Sequence, residues 1–191
     1  MKIVFATNNI NKLSEVRSLV PAEVEILSLK DINCFEELPE EKDTLLGNAF
    51  QKAQYVFNNY GLNCFADDTG LEGNSLNGEP GVYSARYAGS HCSAEDNIQK
   101  VLEKLSGIDN REASFKTVIA LIINSKEYSF EGQVQGTITL KKCGSGGFGY
   151  DPIFLPLNCK DTFAEMSSLE KGRISHRGEA VKKLVRFLAS Q

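Results

Sequence analysis

The sequence predicts a mixed α/β fold, and three observations carry that prediction. Short apolar runs suited to buried strands alternate with segments whose apolar residues recur at helical spacing, and two long β-rich runs follow one another later in the chain. The balance of 41% hydrophobic and 24% charged residues over 191 positions is that of an ordinary globular domain, which excludes disorder, collagen and coiled coil. Residues 1–191 are expected to form a single domain whose middle builds a second lobe, with a cleft between the two.

The apolar run 2–6 suits a buried strand. Polar Thr7-Asn8-Asn9 follows, and Leu13, Val16, Leu19 and Val20 then mark a helix that Pro21 stops. Residues 24–29 read as a second strand. After the acidic stretch 36–41, Asp43 or Thr44 caps a helix whose apolar face is Leu45, Leu46, Ala49, Phe50, Ala53, Val56 and Phe57, and Gly61 closes it. Residues 62–66 form a strand expected to end at Asp67-Asp68. A Gly/Pro/Asn-rich connection leads to Tyr83-Ser84-Ala85-Arg86-Tyr87. Ser93 with Asp96 resembles a capping box ahead of the helix marked by Ile98, Val101, Leu102 and Leu105. The β-rich runs 113–124 and 127–140 are close enough to pair antiparallel, 144–150 is a loop, and Ala180, Val181, Leu184, Val185 and Leu188 mark a final helix.

Charge and composition exclude several functions. With 21 Lys+Arg against 25 Asp+Glu the net charge is −4, so no general basic field exists to hold a nucleic acid or an anionic membrane surface. No apolar run approaches the ~20 residues that cross a bilayer, and the first nine residues turn polar too early for a signal peptide, so a cytoplasmic protein is expected. The five cysteines are odd in number and include no C-x-x-C pair, which suits reduced thiols. His91 and His176 are too few for a His-rich zinc site.

Four segments hold residues with chemistry. Adjacent Asp67 and Asp68 suit a hard cation such as Mg²⁺, with a solvated turn as the alternative, and on extended backbone only one of them can point each way. Thr7-Asn8-Asn9-Ile10-Asn11-Lys12 lies between strand and helix, where backbone N–H groups and Lys12 would meet a phosphate; ordinary N-capping is the alternative. Gly144-Ser145-Gly146-Gly147-Phe148-Gly149 satisfies G-x-G-x-x-G, but Pro152 and Pro156 forbid the helix a dinucleotide fingerprint requires. Its Phe148, beside Tyr150 and Asp151, is either a stacking platform for a base or part of the core. Lys171-Gly172-Arg173-Ile174-Ser175-His176-Arg177 gathers cations just before the last helix, where they oppose its dipole and so suit a polyphosphate and the edge of a base.

Together these motifs resemble the non-canonical purine nucleoside triphosphate pyrophosphatases, the inosine/xanthosine triphosphatase family. The resemblance spans nearly the whole chain: T-x-N-x-x-K at 7–12, A-D-D-T-G-L-E at 66–72, Y-S-A-R-Y at 83–87, G-G-F-G-Y-D-P-I-F at 146–154 and S-H-R at 175–177. It implies an elongated, two-lobed α/β fold with a mixed sheet and a central nucleotide-binding cleft. It implies a homodimer that requires Mg²⁺ and hydrolyses ITP, dITP and XTP at the α–β phosphate bond. On the matched positions it makes Asp68 the catalytic carboxylate and a metal ligand, supported by Asp67, with Glu40 as the second metal carboxylate and Glu41 as the fallback. Lys12, with Thr7 and Asn9, would hold the phosphates, Thr69 would lie on the substrate beside Asp68, Phe148 would stack on the base, and Gly149, Tyr150, Asp151, Lys171, His176 and Arg177 would complete the nucleotide pocket. The competing functions are a pyrophosphatase for modified pyrimidine nucleotides and a nucleotide-binding regulator without turnover.

Overall fold

Period-two alternation in strand β1 (Lys2–Phe5) sets up two apolar layers, Ile3 and Phe5 joining one and Val4 and Ala6 the other. The computed structural model describes residues 1–190, so Gln191, the last residue of the expected domain, lies outside the described residues. The same parity runs through β3 (Cys64–Gly73), where Phe65 joins the first layer and Cys64 and Ala66 the second. It recurs in β4 (Glu112–Ile123), with Ile119, Leu121 and Ile123 against Ala120 and Ile122. The first layer is covered by α1 (Ile10–Leu19) through Val16, and by the C-terminal helix α5 (His176–Leu188) through Ala180, Val181 and Leu184. The second is covered by α2 (Leu45–Tyr60) through Ala49, Ala53 and Val56. Helices on both faces explain why β1 and the matching stretches of β3 and β4 carry apolar residues on both sides of the sheet.

The sheet has six strands in the order β2-β1-β3-β4-β5-β6. Strand β1 is parallel to both β2 (Glu25–Leu27) and β3, whereas β5 (Lys126–Ile138) is antiparallel to β6 (Phe154–Pro156). Strands β4 and β5 meet through Asn124-Ser125, both at positive φ (50° and 62°), which is the backbone of a tight two-residue hairpin. The chain folds as two compact units: Met1–Asp68, Thr117–Gly132 and the segment from Arg177 form one, and Thr69–Lys116 with Gln133–His176 the other. The second unit's core gathers Leu71, Ile98, Val101, Phe115, Phe154 and Phe163, Ile98 and Val101 lying on α3 (Ala94–Lys104) behind the Ser93/Asp96 capping box.

Three expectations are corrected. Strand β3 does not end at Asp67-Asp68 but continues to Gly73, so the two carboxylates lie in mid-strand. The turn-like composition of Asp67 to Gly70 is overridden because the strand lies between β1 and β4 and both carboxylates have partners; at Gly70 a Cβ would stand 2.6 Å from the Gly81 carbonyl oxygen. The basic run from Lys171 does not precede a single helix. A separate helix α4 (Ser168–Ile174), opened by a capping box between Ser167 and Glu170, holds Lys171 and Arg173 in its last turn, where cations favour the dipole. On α2, Leu46 is 39% exposed, while Asn48 and Lys52 take buried places in the helix's inner stripe.

Candidate active site

The strand parity decides what each aspartate meets. Asp67 shares the face of Phe65, toward α1 and α5, and is reached by one cation from each. Lys12 Nζ donates to Oδ1 at 2.9 Å and Arg177 Nε to Oδ2 at 3.0 Å. Arg177 donates in turn from Nη1 to Glu15, one turn beyond Lys12 on α1, at 2.5 Å. Asp68 shares the face of Ala66, toward α2, and accepts from Asn48 Nδ2 at 3.2 Å. Lys52, one turn further along α2, has its ammonium 3.9 Å from Asp68 Oδ1, 2.8 Å from the Asp67 carbonyl oxygen and hydrogen-bonded to Glu40. The Asp67 side chain is 1% exposed, so the alternative of a solvated turn is excluded.

Burial would raise the pKa of Asp67, but the charges of Lys12, Arg177 and Lys52 overcome it and hold the carboxyl below its usual range. The balance reverses at Asp68. There burial, helped by the charge of Glu40, outweighs Lys52, Lys12 and the Asn48 bond and pushes the pKa up. Burial also lowers Lys12, against the pull of Asp67, while Lys52 is raised because Asp68, Glu40 and Asp67 together exceed its burial. The two adjacent carboxylates are thus shifted in opposite directions, Asp67 by its cations and Asp68 by its burial.

Glu40 and Glu41 separate clearly. Glu40 joins Lys52 beside Asp68, while Glu41 pairs with Gln51, its N–H donating to Oε1 at 2.9 Å and its carboxylate accepting from Nε2 at 3.2 Å. Asp68 and Glu40 are therefore the oxygen donors that could hold a hard cation. Among the described residues no group of three His, Cys, Asp or Glu could do so. Two carboxylates suit Mg²⁺, which keeps several waters and takes substrate phosphate oxygens rather than an all-protein cage.

At the start of α1 the structure shows the N-capping alternative. Asn9 Oδ1 accepts the N–H groups of Asn11 (3.0 Å) and Lys12 (3.2 Å), and Thr7 Oγ1 accepts that of Asn9 at 3.1 Å. The helix caps itself because a side-chain oxygen two or three residues away reaches those donors with little loss of entropy. What α1 offers beyond its cap is side chains, Lys12 and Glu15.

In the second unit the glycine-rich loop closes on Asp151. Its Oδ2 accepts the Phe148 N–H at 2.8 Å and the Lys171 ammonium at 2.6 Å, and Asp151 is 2% exposed. Gly147, at φ 68°, allows this closure, since a Cβ there would collide with the Asp151 carboxylate. Phe148 is half-buried with its ring centroid 4.7 Å from the Lys171 ammonium, a cation–π contact that fixes the ring without sealing it in the core. Gly149 is at φ 60° beside it, and Thr69, half-buried, opens the second unit after Asp68. The Tyr150 side chain belongs to the core, its hydroxyl donating to the Ser84 carbonyl at 2.8 Å. The His176 ring stacks on Phe115, centroids 4.5 Å apart.

The basic run is thus divided rather than gathered: Lys171 pairs with Asp151, His176 stacks on Phe115, and Arg177 pairs with Asp67 and Glu15. Residues on consecutive helices fan out around their axes, so closeness in sequence is not closeness of side chains. Sequence reasoning missed Glu15, Asn48 and Lys52. The signal for the last two was present, since polar residues at i and i+4 interrupt the apolar stripe of α2.

Three cations (Lys12, Lys52, Arg177) stand among four carboxylates (Glu15, Glu40, Asp67, Asp68) in this one cluster. Asp67, Asp68, Lys52 and Arg177 are buried in this α/β fold and Lys12, Glu15 and Glu40 half-buried, an arrangement of donors and acceptors of the kind that handles phosphates. The chain belongs to the Ham1 family, whose model matches residues 3–187. It is 55% identical to the dITP/XTP pyrophosphatase of Flavobacterium johnsoniae over 190 residues, covering 100% of this chain and 99% of that one. It is also 55% identical to the dITP/XTP pyrophosphatase of Christiangramia forsetii over 189 residues, covering 99% and 100%. Among solved structures, a Ham1 protein from Coxiella burnetii superposes with a TM-score of 0.90 at 38% identity, with both chains covered completely.

Proposed function

We infer that this chain hydrolyses non-canonical purine nucleoside triphosphates, dITP, XTP and ITP, at the α–β phosphate bond, giving the nucleoside monophosphate and pyrophosphate. Its relatives carry the name dITP/XTP pyrophosphatase over their full length, and the observation that joins their chemistry to this chain is the mid-strand pair Asp67-Asp68 with opposite pKa shifts. Asp68, buried at the site beside Glu40, takes the proton of the attacking water, while Asp67 stays ionised and anchors Lys12 and Arg177. Lys12 and Lys52 supply ammonium donors to the phosphates. Asp68 and Glu40 would hold Mg²⁺, which when bound would neutralise phosphate charge; their oxygen donors, brought together by Lys52, fit that ion.

Phe148, held by Asp151 and Lys171, stacks on the base. Lys171 only donates, so a 6-oxo purine satisfies it where the 6-amino group of adenine does not. The enzyme works as a cytoplasmic homodimer, as the family resemblance implies. No helix among the described residues is long and apolar enough to cross a membrane. The test is turnover of ITP, XTP, dITP, GTP, ATP and dUTP with Mg²⁺ and with EDTA, identifying the products. The expected order is ITP, dITP or XTP, then GTP, then ATP, with pyrophosphate released only with Mg²⁺. Release of inorganic phosphate, preference for dUTP, or equal turnover of ATP would sink the proposal.

A further inference from the structure

Asn48 is 0% exposed on α2, and the reaction described above makes no use of it. Its amide spans two elements: Oδ1 accepts the Lys42 backbone N–H at 2.8 Å, and Nδ2 donates to Asp68 Oδ2 at 3.2 Å. The orientation is forced. A backbone N–H only donates, so the carbonyl end of the amide must face Lys42 and the NH₂ end is left for the carboxylate. Lys42 follows Glu40 by two residues, so a latch on Lys42 limits where the Glu40 carboxylate goes. Gly47 lets this loop press onto the first turn of α2, since a Cβ there would stand 2.8 Å from Lys42 Cβ. One turn beyond Asn48, Lys52 then bridges Glu40 and Asp68.

We propose that Asn48 is a positioning residue that sets the spacing of Glu40 and Asp68, and through it the affinity of this chain for a divalent cation. The inference rests on the reading of those two carboxylates as cation ligands. Groups that orient metal ligands from behind are worth roughly 10–100-fold in metal affinity. The probe is Mn²⁺, which takes the same oxygen donors and whose free ion is counted by its paramagnetic resonance signal.

Titration of the nucleotide-free protein with Mn²⁺ should show binding by the wild type and a dissociation constant at least ~10-fold weaker for Asn48→Ala, with a cooperative melt showing that the variant is folded. Gln51→Ala is the control. It releases the same loop at Glu41 and leaves the Asn48 bonds in place, so its affinity should stay close to wild type. If Asn48→Ala is not recovered folded, Asn48→Ser, too short to span from Lys42 to Asp68, is read in the same way. Equal affinity of wild type and the Asn48 variant overturns the inference, and so does an equal loss in the Asn48 and Gln51 variants, which would make loop order the cause. No Mn²⁺ binding by the wild type would instead remove the metal reading itself.

Discussion

Asp67 and Asp151 are both buried carboxylates that meet a lysine ammonium, at 2.9 Å and 2.6 Å, yet they organise their surroundings differently. Asp67, in the first unit, takes its partners from α1 and α5, 55 and 110 residues away in the chain. Asp151, in the second, takes one partner from the adjoining loop, the N–H of Phe148, and the other from α4. One carboxylate ties distant elements into a charged array; the other folds a glycine loop and presents an aromatic ring. On the proposed function, the charged array suits phosphate and the ring suits a flat, nearly neutral base.

The largest effect should come from removing the long-range anchor. Asp67→Ala leaves Lys12 and Arg177 buried without a shared counter-charge, a loss of about 3–5 kcal/mol in unfolding free energy by chemical denaturation. The stability that Asp67 contributes has a defined pH window. Its folded pKa lies below the ordinary 3.8, so the contribution is complete above that value and is lost as pH falls through the folded pKa. The stability gap between wild type and Asp67→Asn should therefore be constant near neutrality and narrow under acid; a gap that widens on acidification would reverse the assignment.

Asp68→Asn should separate chemistry from stability. It keeps the shape and removes the carboxylate proposed to accept the proton, so kcat should fall by roughly 10²-fold or more while the melting temperature changes little, because burial of the ionised group is a cost that its partners only partly offset. Near-normal turnover at saturating Mg²⁺ would move the catalytic role elsewhere. In the second unit, Phe148→Ala should raise KM for every purine triphosphate by about 1–3 kcal/mol with kcat little changed. A fall in kcat alone would place Phe148 in the chemistry and erase the division between the units. The smallest effect is expected for Tyr150→Phe, which removes the bond to the Ser84 carbonyl but keeps the ring, costing about 1 kcal/mol of stability in thermal melts and little of kcat. A tenfold rise in KM there would show that this bond holds the Phe148 loop in its binding position.

Much of this could be read from local pattern. The alternation of β1, the caps at Thr44 and Ser93 and the closing Gly61 follow from neighbours within a few residues, where backbone and side-chain preferences act directly. The end of β3 could not, because Asp67 to Gly70 has the composition of a turn and becomes strand only between β1 and β4. Nor could the fate of the basic run, because α4, capped by Ser167 and Glu170, is only seven residues long with few apolar side chains to mark a helical face.

The sequence by itself determined that Asp67 and Asp68 face opposite ways wherever their backbone is extended, because that alternation is a property of the chain. Only the tertiary structure decided what stood on either side. It brought Lys12 and Arg177 to one aspartate, where their charges depress its pKa, and buried the other beside Glu40, where desolvation outweighs Lys52 and Asn48 and raises it. The physical reason is that a pKa depends on desolvation and on charges a few ångströms away, and in this fold those charges come from helices that the chain reaches many residues before or after the strand.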